Sequence, residues 1–304
     1  MRNKFVSTLM DLAASNSKIM LLTGDLGFGV FEPFRDQFPK QFLNVGIAEQ
    51  NMAGIAAGLA KEGRTVFFYS IGNFPTLRCL EQIRYDICYH NLDVKIISVG
   101  AGYAYGPLGV SHHTTEDISI LRSIPNLKVA APGDPVEVDA LVRYFAHNKL
   151  PSYMRLNKSG EMNIHNHKLD FKGNEILKVL NTESAYDVAI LSTGAILEYA
   201  YKFITNHKKN WSLFSCPFVD QQDENILEDI FLKYKKIITI EENQLNGGFG
   251  SAILEKVNDM LISGRIKNSP SYIHRIGIPN IFIPTAGTQD HLRSKAGITL
   301  EPFL

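Results

Sequence analysis

The chain has 304 residues, of which 45% are hydrophobic and 10% aromatic, and this is enough to bury a full core and to form two domains. Thirty-one basic and thirty-one acidic side chains cancel, so we expect neither nucleic acid nor a membrane as a partner. No apolar run approaches the roughly 20 residues that span a bilayer, and the start lacks a signal peptide, which predicts a cytoplasmic protein. Three cysteines without CxxC spacing favour neither disulfides nor a metal site.

In the first half of the chain, strand-like apolar runs alternate with helical patterns. The predicted strands are 19–23, 42–45, 65–70, 94–99, 127–131 and 153–156, and the predicted helices are 2–15, 48–61, 76–90, 116–123 and 135–147. This alternation predicts an α/β domain with a mostly parallel sheet that is flanked by helices. Asp134 and Pro135 are typical of an N-cap and a first helical residue, so they mark the start of the last helix.

A polar stretch then interrupts the pattern, and a second alternation follows it. Its predicted strands are 187–193, 211–216 and 236–241, and its predicted helices are 195–206, 223–233 and 248–262. We therefore predict a first domain at 1–160, a linker at 161–184 and a smaller α/β domain at 185–304. The run Gly247–Gly250 lacks the Lys-Ser/Thr of a phosphate-binding loop and is expected to let a helix begin close to the sheet.

The segment from Asn44 to Gly58 contains one carboxylate, Glu49, among apolar and small residues. Gly46 permits a turn between the predicted strand and the helix that follows it. A Glu in the first turn of a helix complements the helix dipole, which is worth ~0.3–1 kcal/mol. That role needs no small-residue surroundings, so Glu49 is also a candidate functional residue.

Several further motifs accompany this segment. They are Gly24-Asp25-Leu26-Gly27, Gly46–Met52, Phe74 with Glu81–Arg84, Ser111-His112-His113 with Glu116-Asp117, Ala131–Asp134, Glu241–Asn243 with Gly247–Gly250, and Arg275–Pro279. Together they resemble the transketolase family of thiamine-diphosphate enzymes. The resemblance covers nearly the whole chain and the last two of the family's three domains, namely the pyrimidine-binding domain and the C-terminal domain.

The resemblance implies thiamine diphosphate as the cofactor. It places Glu49 as the catalytic residue that hydrogen-bonds N1′ of the aminopyrimidine and so activates the cofactor. It places Phe74 against the pyrimidine face, with Ile71 and Leu77 as further wall residues and Asp25 close by. The alternatives are an ordinary core Phe at 74 and a turn-capping Asp at 25.

The resemblance also implies substrate contacts. His112 matches a catalytic His near the reacting carbon, with His113 beside it, although a locally bonded loop His is the alternative. Thr114 and Asp117 indicate a capping pair at the start of the helix through Leu121. No metal site is expected here, because adjacent His side chains point apart.

Arg155 matches an Arg that grips a sugar phosphate. However, Gly100–Gly102 stands where relatives that act on phosphorylated sugars carry a His or Arg. Leu108 stands where the family commonly has an Asp that recognises a substrate hydroxyl. These departures favour a bulkier or less phosphorylated acceptor, with Tyr103 and Tyr105 as wall residues of the substrate site.

The family's diphosphate and magnesium motif, GDG followed by Asn, does not occur in this sequence. The resemblance therefore implies an N-terminal partner subunit that binds the diphosphate and most of the Mg, in an α2β2 assembly. The implied reaction transfers a two-carbon ketol unit from a ketose to an aldehyde acceptor. The alternatives are the β subunit of a 2-oxoacid dehydrogenase, a deoxyxylulose-phosphate-synthase-like enzyme, and a non-catalytic scaffold subunit of the same fold.

Overall fold

The computed structural model describes residues 1–181, 187–268 and 272–304. The strands are β1 (Ile19–Thr23), β2 (Phe42–Asn44), β3 (Thr65–Ile71), β4 (Val94–Val99), β5 (Lys128–Ala130), β6 (Ser152–Leu156), β7 (Leu177–Leu180), β8 (Val188–Ser192), β9 (Ser212–Ser215), β10 (Lys236–Gln244) and β11 (Tyr272–Ile278). The α-helices are α1 (Arg2–Ser15), α2 (Glu32–Gln37), α3 (Glu49–Lys61), α4 (Leu80–Gln82), α5 (Asp117–Leu121), α6 (Pro135–His147), α7 (Leu197–Asn206), α8 (Glu224–Lys233), α9 (Phe249–Ile262) and α10 (Gln289–Lys295).

Short helical turns complete these elements. They are the 3₁₀ turns Pro39–Gln41, Leu77–Cys79, Gly106–Leu108, Val110–His112 and Glu301–Phe303, and the π-helical segment Ile83–Cys88 that continues α4. Within the described ranges, no helix has both the length and the apolar content that a bilayer crossing requires.

The first sheet has six strands, all parallel, in the order β2-β1-β3-β4-β6-β5. Helix α3 packs on one face with Phe68 and Ile96, and α1 and α6 pack on the other face with Phe67 and Ile97. The predicted parallel sheet between two helical layers is thus confirmed. Because the strands are parallel, the turns that follow β1, β2 and β3 all meet at one edge of the sheet.

Among the described residues, the second sheet has five strands in the order β11-β10-β8-β9-β7, and only β7 runs antiparallel to its neighbour. The prediction of a second, mostly parallel α/β unit is confirmed. Strand β7 lies inside the predicted linker 161–184, and β11 was not predicted. Both are edge strands that are only partly buried, so they lack a fully apolar run. Linker residues 182–184, and the predicted domain start at 185, lie outside the described residues.

One buried apolar cluster extends across both units. Leu121 and Val129 of the first domain belong to the same buried cluster as Val219 and Phe249 of the second. Along the edge strand β5, the Ala131 N–H donates to the Pro217 carbonyl at 2.8 Å, and the Val219 N–H donates to the Val129 carbonyl at 3.1 Å. The second domain is therefore fixed against the first, so residues of both can build one site.

Two predicted helix starts have different outcomes. Asp134 caps α6 as predicted, because its carboxylate accepts the Glu137 N–H at 2.8 Å. The capping pair predicted at Thr114 and Asp117 is wrong, since α5 begins at Asp117 without a side-chain cap. The Asp117 carboxylate instead bonds Arg155 and Tyr153. A buried guanidinium is a stronger partner for a carboxylate than a neutral cap.

Candidate active site

Glu49 is the first residue of α3 and lies beside the carboxyl ends of strands β1 and β2. Its side chain is 3% exposed. Gly46, with φ at +76°, makes the turn from β2 toward α3, and Gly24 faces the carboxylate from the end of β1. A Cβ on Gly24 would lie only 3.9 Å from Glu49 Oε1. Small residues therefore leave space around a buried carboxylate.

Arg78 holds one oxygen of this carboxylate. Its Nη1 donates to Glu49 Oε2 at 3.0 Å, while Oε1 accepts no hydrogen bond from the residues the structure describes. The Arg78 side chain is 47% exposed, so the ion pair by itself adds little stability. Oε1 is therefore available to a further hydrogen-bonding group. Arg78 was not predicted, although its position four residues after Phe74 was a usable signal.

Phe74 and His112 complete a cluster with Glu49. The Arg78 guanidinium carbon lies 4.1 Å from the centroid of the Phe74 ring. The centroid of the His112 ring lies 5.4 Å from that of Phe74, at an interplanar angle of 67°. His112 is half-buried, with Nδ1 3.0 Å from Ser111 Oγ. The structure thus brings together the three residues on which the predicted chemistry depends.

Asp25 lies at the same edge, in the turn after β1. Its φ of +55° is in the left-handed region, which Asp tolerates better than most residues. Asn44 stabilises this turn, because its Nδ2 donates to Asp25 Oδ1 at 3.0 Å and its Oδ1 accepts the Asp25 N–H at 2.9 Å and the Gly46 N–H at 3.0 Å. One amide side chain therefore couples the Asp25 turn to the turn that precedes Glu49.

The structure does not bring Ile71 or Tyr105 to this cluster. Both side chains pack against the core on the opposite face of the first sheet from α3. The Tyr105 ring also contacts Lys158, whose Nζ lies 4.3 Å from the ring centroid. Side chains alternate between the faces of a strand, so a residue at the correct strand end can still point away from the site.

Arg155 is not placed at the cluster either. It is 4% exposed and lies between the domains. Its Nε is 3.0 Å from Asp117 Oδ2, and its Nη2 donates to the carbonyls of Thr114 and Glu242. The predicted phosphate-binding role is therefore not supported by this placement. Arg155 instead links the first sheet to the second.

Strand β10 of the second domain holds the loop that carries His112 and His113. Glu242 Oε1 accepts the Tyr103 N–H at 2.7 Å, and the Gln244 N–H donates to the Thr115 carbonyl at 2.8 Å. Arg293 in turn donates to Glu242 Oε2 at 2.7 Å. A Cβ on Gly102 would lie 2.4 Å from the Glu242 side chain, so this close approach requires glycine. Both ends of the loop are thus fixed from the second sheet.

A cavity of about 280 Å³ opens beside the cluster, between this loop and the second domain. Its walls include Leu77, a predicted cofactor residue, and His113, a predicted substrate residue. We name it the His113 pocket and define it by the side chains of Asn73, Leu77, Val110, His113, Glu116 and Phe282. Asn73 Nδ2 donates to the His113 carbonyl at 2.6 Å, which links the pocket to the turn that carries Phe74.

The glycine-rich run at the start of α9 serves the helix itself. Glu241 is fully buried, and its two oxygens accept the N–H groups of Phe249 at 2.7 Å and Gly250 at 2.8 Å. A Cβ on Gly248 would lie 2.3 Å from Glu241 Oε2. This geometry agrees with the expectation that the run brings a helix start close to the sheet.

A buried cluster that the sequence did not indicate lies beneath the predicted linker. Ligand atoms of Asp134, Glu137 and His165 lie within 4.8 Å of one another. Asp134 Oδ2 accepts the N–H groups of Ile164 and His165, each at 2.8 Å. Burial raises the pKa of Glu137 to about 7, and the neighbouring Asp134 adds to this rise. The cluster fastens the linker to the first domain.

Comparison with known families gives two matches that together cover most of the chain. Residues 1–161 match the model of the transketolase pyrimidine binding domain. Residues 178–302 match the model of the transketolase C-terminal domain. The first match includes Glu49 and the whole candidate cluster.

Individual proteins agree with these matches. The chain is 30% identical to a subunit of the apulose-4-phosphate transketolase of Actinobacillus succinogenes, over 90% of this chain and 85% of that protein. It is 35% identical to 1-deoxy-D-xylulose-5-phosphate synthase of Cytophaga hutchinsonii, over 96% of this chain but 45% of that protein. A solved split gene transketolase, an inactive beta4 tetramer, has a TM-score of 0.82 and 28% identity, covering 98% of this chain and 93% of that one. The chain therefore belongs to the transketolase family, in which it corresponds to the C-terminal subunit of split transketolases.

Proposed function

We propose that this chain supplies the pyrimidine-binding half of a thiamine-diphosphate-dependent transketolase. The observation that carries the proposal is the buried Glu49 carboxylate, which has one oxygen held by Arg78 and the other without a partner among the described residues. An aminopyrimidine needs a carboxyl group at N1′ and an aromatic face to pack against. Glu49 and Phe74 provide both in one cluster, so the residues present fit this end of the cofactor.

Each side chain of this cluster has a different role in the proposed reaction. When bound, thiamine diphosphate supplies the nucleophilic carbon that takes a two-carbon ketol unit from a ketose and gives it to an aldehyde. Glu49 shares a proton with N1′, and its burial keeps competing water away. Phe74 and Leu77 exclude water from the pyrimidine. His112 offers an imidazole that can exchange a proton with a substrate hydroxyl.

The other end of the cofactor belongs, in this proposal, to a second chain. The GDG motif that binds diphosphate and magnesium in the family is absent from this sequence. The Actinobacillus succinogenes relative is named as one subunit of a transketolase, which supports a partner that carries that motif. We therefore propose an N-terminal partner subunit that holds the diphosphate and most of the Mg²⁺, in an α2β2 assembly with Asp25 and Glu49 close to the subunit contact.

The test is to purify the chain with its N-terminal partner and to titrate thiamine diphosphate and Mg²⁺ calorimetrically into the pair and into each chain alone. The pair is expected to bind the cofactor much more tightly than either chain. It is also expected to transfer the two-carbon unit of hydroxypyruvate to glycolaldehyde. A pair that binds the cofactor no better than the partner alone would show that this chain is a scaffold.

A second candidate function is that of a deoxyxylulose-phosphate-synthase-like enzyme. It is favoured by the 35% identity to such a synthase, although that likeness covers 45% of the synthase. The same purified pair separates the two functions. Turnover of pyruvate with glyceraldehyde 3-phosphate, without turnover of hydroxypyruvate, would favour the synthase and reject the transketolase proposal.

A further inference from the structure

We propose that the His113 pocket binds the distal end of an unphosphorylated sugar aldehyde, with His113 as the hydrogen-bonding partner of one hydroxyl group. This inference rests on the proposed function, because it names the acceptor class of the same site. It makes His113 a specificity-determining residue that contacts substrate away from the reacting carbon.

The pocket contains an unsatisfied polar atom. His113 is 3% exposed, and its Nε2 has no hydrogen-bond partner among the described residues. The edge-on contact with the Tyr103 ring, at 5.0 Å and 89°, fixes the imidazole in place. A buried, fixed and unpartnered nitrogen costs free energy that a ligand can recover.

The charge state of that nitrogen favours a hydroxyl group as its ligand. Burial lowers the pKa of His113. Hydrogen bonding with the Gly106 carbonyl raises this pKa to a smaller extent, so the ring is neutral at pH 7. In a neutral imidazole each nitrogen either donates or accepts a hydrogen bond, according to the tautomer. A hydroxyl group can do both, so it satisfies Nε2 in either tautomer, whereas a fully ionised phosphate can only accept.

The charge of the pocket walls disfavours a phosphate group. Neither Lys nor Arg lines the cavity in the described part of the chain. Its one charged wall residue there is Glu116, whose Oε1 accepts a hydrogen bond from Thr115 Oγ1 at 2.8 Å. A phosphate in this space would meet a carboxylate and none of the described cations, so the pocket excludes it. The engagement of Arg155 elsewhere agrees with this exclusion.

The position and shape of the pocket also suit a sugar. Asn73 and His113 are the chain neighbours of Phe74 and His112, so the pocket adjoins the cluster that would hold the reacting carbon. On the other side, Val110 and Phe282 provide apolar walls, and Phe282 is 74% exposed at the mouth. Apolar walls with a few polar groups suit a sugar, which has C–H faces and hydroxyl edges.

The test compares acceptors on the reconstituted complex with hydroxypyruvate as the donor. D-Erythrose is long enough to enter the pocket, D-erythrose 4-phosphate adds the charge, and glycolaldehyde is too short to reach it. We expect kcat/KM to be higher for D-erythrose than for its phosphate. In His113→Phe, which keeps the ring contact with Tyr103, the kcat/KM ratio of D-erythrose to glycolaldehyde should fall about 3- to 10-fold, mainly through KM.

A gain-of-function variant tests the effect of wall charge on acceptor preference. Val110→Arg places a cation at an exposed wall position, and it should shift preference toward D-erythrose 4-phosphate. Saturation-transfer NMR of D-erythrose with the complex reports binding without turnover and should weaken in His113→Phe. A wild-type preference for the phosphate, or an unchanged ratio in His113→Phe, overturns the inference alone. No turnover with any acceptor, including glycolaldehyde, overturns the proposed function and this inference together.

Discussion

Each domain has a buried glutamate beside the start of a helix, and the partners of the two glutamates differ. Glu49 begins α3 at the edge of the first sheet, and Glu241 lies at the carboxyl end of β10, beside the start of α9. Both oxygens of Glu241 are occupied by backbone N–H groups of α9. Glu49 receives a single hydrogen bond, from a half-exposed Arg78, and keeps one oxygen free of partners within the described residues.

This difference separates a carboxylate that the fold uses from the one that we propose binds the cofactor. Both side chains are buried, so burial does not distinguish them. What distinguishes them is whether the fold itself uses both oxygens. The neighbouring glycines differ in the same way. Gly248 lets the backbone approach the Glu241 carboxylate closely, whereas Gly24 leaves space beside the Glu49 carboxylate.

The largest expected effect is on turnover in Glu49→Gln. The variant should fold normally but lose on the order of 10²–10⁴-fold in kcat, because an amide cannot share a proton with N1′ in the same way. Steady-state kinetics of the complex with hydroxypyruvate would measure this, and circular dichroism would check the fold. An active Glu49→Gln enzyme would remove the distinction between the two glutamates.

The next effect is on stability in Arg155→Met. Removing the guanidinium leaves Asp117 buried without its charged partner, which should cost about 3–5 kcal/mol in the free energy of unfolding. Urea denaturation would measure the loss, and Arg155→Lys, which keeps a charge, should lose less. If Arg155→Met kept its stability and instead raised KM for phosphorylated acceptors, the interdomain role would be wrong.

A smaller effect is expected in Glu241→Gln, which is the matched partner of the first variant. The amide nitrogen cannot accept one of the two N–H groups of α9, so the free energy of unfolding should fall by about 1–3 kcal/mol. Turnover at a temperature where the protein remains folded should be retained. A loss of turnover as large as that of Glu49→Gln would contradict the assignment of Glu241 to structure.

The last effect concerns pH. Burial raises the pKa of Glu241 to about 7, and burial together with Asp134 raises that of Glu137 to about 7, from an unfolded value near 4.5. The folded state therefore binds more protons between these pH values, so stability should fall as the pH rises from about 5 to about 7. Calorimetric Tm values should show this slope, and Glu137→Gln, which cannot ionise, should reduce it. A slope of opposite sign would contradict the assignment.

Strands and helices with complete apolar patterns could be predicted from the sequence. The bounds of β1 and β4 were predicted to the residue, whereas the edge strands β7 and β11 were not predicted. Both missed strands are only partly buried, so their residues carry a weaker hydrophobic signal than those of β1 and β4.

The site was predictable only where a residue's chain neighbours determine its environment. Glu49 lies among small residues of its own segment, and this is visible in the sequence. Ile71 and Arg155 lie at expected strand ends, but the face to which they point and the partners they meet depend on distant segments. For the same reason, no local pattern indicated the contact between Glu242 and the Tyr103 N–H, which spans 139 positions.

That long-range contact has a consequence for how the enzyme could diversify. The loop that carries His112 and His113 is hydrogen-bonded to Glu242 and Gln244, and Arg293 and Gln289 of α10 donate hydrogen bonds to Glu242. Exchanges in this part of the second domain would move the loop, and His112 and His113 with it, while leaving Glu49 and Phe74 in place. New acceptor preferences could thus arise, in natural lineages or in directed-evolution libraries, from mutations of residues that do not contact the sugar.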